Sequence, residues 1–176
     1  MSYITLPPYD ARAVANYFLD LAERDGKTLD PIKIQKLVYL AHGWSLALTG
    51  KPLIVDKVEA WPYGPVIRSL FLAFGDAGNG PIEHYALDVQ MVNGRPTSTT
   101  PRLDHIHHWS NRRMKDVLDE VWRVYGDFTA IQLSNFTHQP DSPWAQTWRP
   151  GADGLVISDD VIKSYFSELA TANEPA

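Results

Sequence analysis

The segment Asp30 to Gly50, DPIKIQKLVYLAHGWSLALTG, constrains the fold more than any other. Asp30 followed by Pro31 is a helix-start signal: a side-chain acceptor for free amides stands ahead of a residue that has no amide hydrogen to satisfy. Gly50 is the matching stop. Between them Ile34, Leu37, Val38, Ala41, Trp44 and Leu48 recur at helical spacing, and Tyr39, Leu40, Leu46 and Ala47 make the far side apolar too. A helix that is apolar nearly all round has to be surrounded. The expectation is a central helix with other helices packed about it.

The rest of the chain can supply that surround. Its 176 residues, 44% of them hydrophobic, suffice to withdraw about two-thirds of the unfolded surface from water. No linker, internal repeat or low-complexity tract divides them, so one domain over 1–176 is expected. Asp10 caps a first helix that turns Val14, Tyr17, Phe18 and Leu21 inward and Arg12, Asn16, Asp20 and Glu23 to water, with Gly26 as its left-handed end. After Gly50, Lys51 to Val55 is short and β-branched, and Val58 to Val66 reads as a loop stiffened by Pro62 and Pro65. Pro65 opens a third helix, Val66 to about Phe74, stopped by Gly75.

Polarity then alternates from Tyr85 to Val92 up to Asn93-Gly94, a strong hairpin-turn signal. The returning segment, Arg95 to Arg102, contains Pro96 and Pro101 and is therefore confined to an edge strand. A fourth helix is expected with Ser110 as cap and Met114, Val117, Leu118, Val121, Trp122 and Tyr125 buried. A fifth is capped by Thr129 and offers Ile131, Leu133 and Phe136 to the core; a short one starts at Ser142-Pro143. The last runs from Ser158 with Val161, Ile162, Tyr165, Phe166 and Leu169 inward, fraying after Thr171. The fold class expected is mainly α (α+β), one compact domain of about six helices with a small antiparallel β-hairpin.

Chemistry is excluded more readily than it is found. With no cysteine there is no disulfide, thiol nucleophile or Cys-ligated metal. Sixteen basic against 21 acidic side chains leave a net charge of -5, which counts against a bulk nucleic-acid binder. No apolar run reaches the roughly 18 residues of a membrane span, and the first residues lack the basic and apolar regions of a secretory signal, so a cytoplasmic location is expected. His105, His107 and His108 have no further ligand at a recognised spacing and read as a solvated, partly capping cluster, so no metal is expected. His42 reads as a core or boundary histidine with no carboxylate beside it, and Asp30, Asp159 and Asp160 read as helix-start acids. Gly75, Gly78 and Gly80 do not form a phosphate loop, and Gly43-Trp44-Ser45-Leu46-Ala47 lacks the last glycine of a nucleophile elbow. Neither an enzyme nor a cofactor is expected.

The first two helices, joined by a Gly-containing turn, mimic a helix-turn-helix, but a recognition helix needs an exposed polar face that the second lacks. Lys33, Gln35 and Lys36 form a small polar patch at its start. Trp61 and Trp144, each beside a proline, read as rim packing; Trp109 and Trp148 are freer to face a partner.

Taken in order, ANYFLDLA, the stretch DPIKIQKLVYLAHGW (Asp30 to Trp44), EAWPYGPV (Glu59 to Val66), LSNFTHQPDSPW (Leu133 to Trp144) and ISDDVIKSYF (Ile157 to Phe166) resemble the Panacea, or SocA-like, antitoxin domain, which is also met in phage-associated proteins. The resemblance covers nearly the whole chain; the hairpin around Asn93-Gly94 and the stretch His105 to His108 fall outside it. It implies an antitoxin that neutralises a cognate protein toxin by direct contact, and, for the SocA branch, an adaptor that delivers the toxin to the ClpXP protease. The alternatives are a DNA-binding autoregulator and a phage-encoded interaction protein. On this reading Lys33, Gln35, Lys36, Trp61, Tyr63, Val66 and Arg68 are the candidate partner-binding residues, and the hairpin is a variable recognition element. Leu37, Tyr39, Gly64, Pro65, His138 and Trp144 are motif residues that build the fold. An acidic chain suits a basic toxin, because complementary charge speeds encounter.

Overall fold

The computed structural model describes residues 5–172. Helix α1 (Ala11–Arg24) starts where Asp10 accepts from the Arg12 amide, and Gly26, at φ +65°, carries the chain out of it. Helix α2 (Pro31–Thr49) has Asp30 accepting from the Lys33 amide at one end and Gly50 in the left-handed region at the other. Every residue from Ile34 to Gly43 is buried: the apolar ones because they cover most of the helix surface, and Gln35, Lys36 and His42 with hydrogen-bond partners inside.

Two strands follow, β1 (Val58–Trp61) and β2 (Gly64–Ile67), then α3 (Arg68–Phe74). This corrects two expectations. The stretch Val58 to Val66 is a tight antiparallel hairpin and not a loop, and Pro65 lies in β2, so the third helix begins only at Arg68. Proline is admissible in β2 because its missing N–H falls on an outer edge. Past Gly75 the chain makes one 3-10 turn to Ala77.

Strands β3 (Asp88–Val92) and β4 (Arg95–Thr99) form the second hairpin, closed by Asn93 and Gly94 with φ of 51° and 75°. Helix α4 (Arg112–Tyr125) buries the six residues expected of it. Ser110 is not its cap: it sits inside a 3-10 turn, Trp109–Asn111, that His108 caps by accepting from the Ser110 amide. Helix α5 (Ala130–Thr137) carries a full capping box between Thr129 and Gln132, but Ile131 points outward, 74% exposed. Helix α6 (Pro143–Thr147) is capped by Ser142. A strand absent from the sequence expectations, β5 (Leu155–Ile157), precedes α7 (Asp159–Ala172), so seven α-helices are present among the described residues. Of the tail after Thr171, Ala172 is still helical and residues 173–176 lie outside the described ones.

Helices α1, α3, α4, α5 and α7 all contact α2, with α7 the most extensive neighbour. The closest approach is at Gly43, where the Phe166 ring occupies the space a Cβ would need; that ring is also edge-on to Tyr39 and Trp44 at 5.8 and 5.2 Å. Asn16 was expected to face water and instead is fully buried. Its amide group donates to the carbonyls of Ala86 and Pro101 and accepts from the Ala86 amide, tying both ends of the β3–β4 ribbon to α1.

Candidate interaction surface

Strand β1 is the middle of a three-stranded antiparallel sheet in the order β2, β1, β5. Residues directly opposite one another share a face. Val58, Ile67 and Ile157 therefore lie together, and all three are buried in the core. The opposite face carries Val66, Glu59 and Val156 in one row, with Trp61 beside them. Arg68 reaches back over this face. Its guanidinium donates to both Glu59 carboxylate oxygens at 2.8 and 3.1 Å and lies 5.5 Å from the Trp61 ring centre. Trp61 donates its indole N–H to Glu59 at 2.8 Å and packs on Phe71 at 5.1 Å. Tyr63, at the tip of the turn, is 86% exposed. The outer face is thus an aromatic and aliphatic surface around one neutralised ion pair.

What holds that sheet in place is polar and comes from α2. Gln35 Nε2 donates to the Ile67 carbonyl at 3.0 Å, and its Oε1 accepts from the Ile67 amide at 2.9 Å, so one side-chain amide closes the outer edge of β2 as a neighbouring strand would. Lys36, only 2% exposed, donates from Nζ to the carbonyls of Tyr63 and Pro65 at 3.1 and 3.2 Å. Burial away from any carboxylate depresses its pKa from 10.5 to about 7. Gly64, at φ +106°, is required here: a Cβ would come within 2.5 Å of Lys36 Nζ and 2.9 Å of His138 Cε1. His138 donates through Nδ1 to the Ser134 carbonyl at 2.6 Å and packs 4.2 Å from Trp144, whose indole N–H donates to the Trp61 carbonyl at 2.7 Å. Trp148 stacks on Trp144 at 5.3 Å, and its indole nitrogen is buried with no hydrogen-bond partner among the described residues.

The sequence-predicted partner residues therefore separate into two groups. Trp61, Tyr63, Val66 and Arg68 share the outer face or its rim. Gln35 and Lys36 do not form a solvated patch but are buried beneath it, and Lys33 spends its ammonium on the Gly126 carbonyl at 2.6 Å. Of the motif residues, Leu37, Tyr39, Gly64 and Pro65 are buried, while His138 and Trp144 are half-buried supports of the turn. Phe71, Glu59 and Val156 were missed. Glu59 and Val156 depend on recognising Val58 to Trp61 and Leu155 to Ile157 as paired strands, for which the short alternation at Val58 and Ala60 was the only available signal, and Phe71 joins them from α3 by packing on Trp61.

Elsewhere, Trp109 is exposed at 81% whereas Trp148 is not free. His42 is fully buried, and a carboxylate does stand beside it. The Leu53 amide donates to Nδ1 at 3.3 Å, so Nε2 carries the proton and donates to Asp159 at 2.9 Å, which lowers the Asp159 pKa. Asp159 thereby pins α7 to α2, while Ser158 accepts from the Val161 amide. Among the described residues no group of three His, Asp or Glu side chains could hold a metal ion, and no helix is long and apolar enough to cross a membrane.

Fold and site together define an α-dominated domain whose buried polar side chains hold a small sheet against a central helix. The family model for the antitoxin SocA-like, Panacea domain matches residues 34–145, a span that contains α2 from Ile34 onward, both hairpins and the Trp144 support. Antitoxin SocA of Caulobacter vibrioides is 33% identical over 161 residues, covering 89% of this chain and 82% of that protein. The chain belongs to the SocA-like Panacea family. No solved structure matches it.

Proposed function

We propose that this chain is the antitoxin of a toxin–antitoxin pair and neutralises a separately encoded protein toxin by direct contact in the cytoplasm, without catalysis. The observation that carries the reading is its likeness, over 161 residues, to Antitoxin SocA. The contact surface on this reading is the outer sheet face: Trp61, Tyr63, Val66 and Arg68 join Phe71 in a patch rich in the residue types that anchor interfaces. Gln35, Lys36 and Lys33 serve it from behind, by fixing the hairpin and the helix packing. The net charge of -5 favours a basic toxin by steering encounter. Binding to DNA through α2 is disfavoured, because a helix buried from Ile34 to Gly43 has no face to place in a groove.

The test is co-expression with the protein encoded beside this chain. That protein arrests growth alone, the wild-type chain relieves the arrest, and Tyr63→Ala combined with Val156→Lys, both at exposed positions of the outer face and the latter opposite Glu59, relieves it at least tenfold less efficiently while melting normally. Absence of toxicity, or of relief by the wild type, overturns the reading. A toxin half-life shortened by the antitoxin only in cells that contain ClpX would assign delivery to ClpXP as the mode of neutralisation.

A further inference from the structure

The β3–β4 ribbon is exposed at every position except Asp88, which is half-buried. It is tied down at its base, where Arg12 donates to the Asp88 carboxylate at 3.0 Å and the Leu87 carbonyl at 3.1 Å. Beyond that base it is a two-stranded arm, and such a ribbon alone is marginally stable in water.

Its two edges are not equivalent. The left-handed pair Asn93-Gly94 makes a two-residue turn of type I′, which closes on a hydrogen-bonded pair, here Val92 with Arg95. Antiparallel pairs alternate, so Gln90–Thr97 and Asp88–Thr99 are bonded across the ribbon, and the backbone groups of Val89 and Met91 on β3, and of Pro96 and Ser98 on β4, point outward. Neither Val89 nor Met91 finds a backbone partner outside the ribbon among the described residues. On β4 the outward amide is missing at Pro96, so that edge cannot be continued; on β3 both amides and both carbonyls are intact. The side chains on the same face, Val89 at 62% exposure, Met91 at 68% and Pro96, carry no charge. Folded proteins ordinarily blunt an edge of this kind with Lys, Pro or a bulge. Here β4 is blunted and β3 is left open.

We infer that β3 is a strand-addition site, where an extended segment of the protein toxin pairs with the outward N–H and C=O groups of Val89 and Met91. This rests on the antitoxin reading and names the recognition chemistry within it. The segment is apolar where it faces Val89 and Met91. It carries an acidic residue towards the turn, because Arg95 makes no ion pair among the described residues whereas Asp88 is already held by Arg12. A second copy of the chain is a poor occupant: its own β3 offers Arg95 only the Asp88 carboxylate, which Arg12 already holds.

Val89→Pro and Met91→Pro remove outward amides at positions where an edge strand tolerates proline. The double variant keeps the wild-type circular dichroism and melting temperature, loses at least tenfold in affinity for the co-expressed toxin, and no longer relieves growth arrest. In the wild-type complex, amide exchange at Val89 and Met91 slows at least tenfold. The wild-type arm reports first: a chain that neither binds the neighbouring protein nor relieves its toxicity fails as an antitoxin, whatever the ribbon does. With the wild type active, strand addition is overturned if the proline variant neutralises normally. It is overturned equally if Val89→Lys with Met91→Lys abolishes binding while the proline variant retains it, since the apolar face would then act without the edge. A wild-type homodimer that the proline variant dissolves would also overturn it, by making a second copy the occupant.

Discussion

Replacing Lys36 by Met tests the most unusual energetic feature of the molecule, an ammonium buried against two carbonyls and no carboxylate. Met keeps an unbranched apolar side chain, one atom shorter, and removes the titration. The folded chain releases the Lys36 proton near pH 7, whereas the unfolded chain holds it to 10.5, a gap of about 3.5 pH units, or roughly 5 kcal/mol. Between those limits the unfolded state binds more protons, so the wild type gains stability as pH rises, by about 1.4 kcal/mol per unit, and below the lower limit the full cost of burying the charge is present. Urea titrations followed by tryptophan fluorescence at about pH 7 and about pH 9.5 should therefore show the difference between wild type and Lys36→Met moving by roughly 3 kcal/mol in favour of the wild type. The window ends there because burial pushes the Tyr9 hydroxyl up to about 12, and the unfolded chain's tyrosines lose protons from 10, which destabilises the fold in the opposite sense. A difference that stays the same at both pH values would refute the reasoning and mean that water reaches the amine. The same measurement bears on function, because Lys36 holds the carbonyl of Tyr63, the most exposed residue of the proposed contact face.

Gln35→Leu leaves the Ile67 amide and carbonyl buried without partners and should cost about 2–4 kcal/mol in urea titration, with faster amide exchange in β2. Gly64→Ala combines a left-handed backbone with a clash against Lys36 and His138 and should cost about 2–3 kcal/mol; its thermal melt should fall well below that of an alanine replacing exposed Gly78. Asn16→Leu removes the three bonds that fasten the ribbon base, and amide exchange at Ala86 should accelerate more than exchange in α2.

Much of the helical scaffold was legible because its signals are local. Asp10, Asp30, Thr129, Ser142 and Ser158 cap the helices they precede, and α4 buries the stripe its periodicity marks. Ser110 failed because a 3-10 turn, capped by His108, intervenes before the helix. The hairpin at Val58 to Ile67 was not legible because it is short and contains two prolines, and its pairing with Leu155 to Ile157 spans nearly a hundred residues that no local pattern registers. The polar residues of α2 were the largest misreading. Lys33, Gln35 and Lys36 look like a solvated first turn, and Asn16 like the wet side of α1, since sequence alone assigns a polar group to water by default.

A helix with so much apolar surface has no stable place in water, so the amino-acid order alone puts α2 at the centre and marks where most helices begin. Which polar side chains go inside with it depends on how distant segments pack. A buried amide or amine is tolerated only when specific backbone groups are brought to meet it, and the groups that meet Gln35 and Lys36 belong to a strand some thirty residues away.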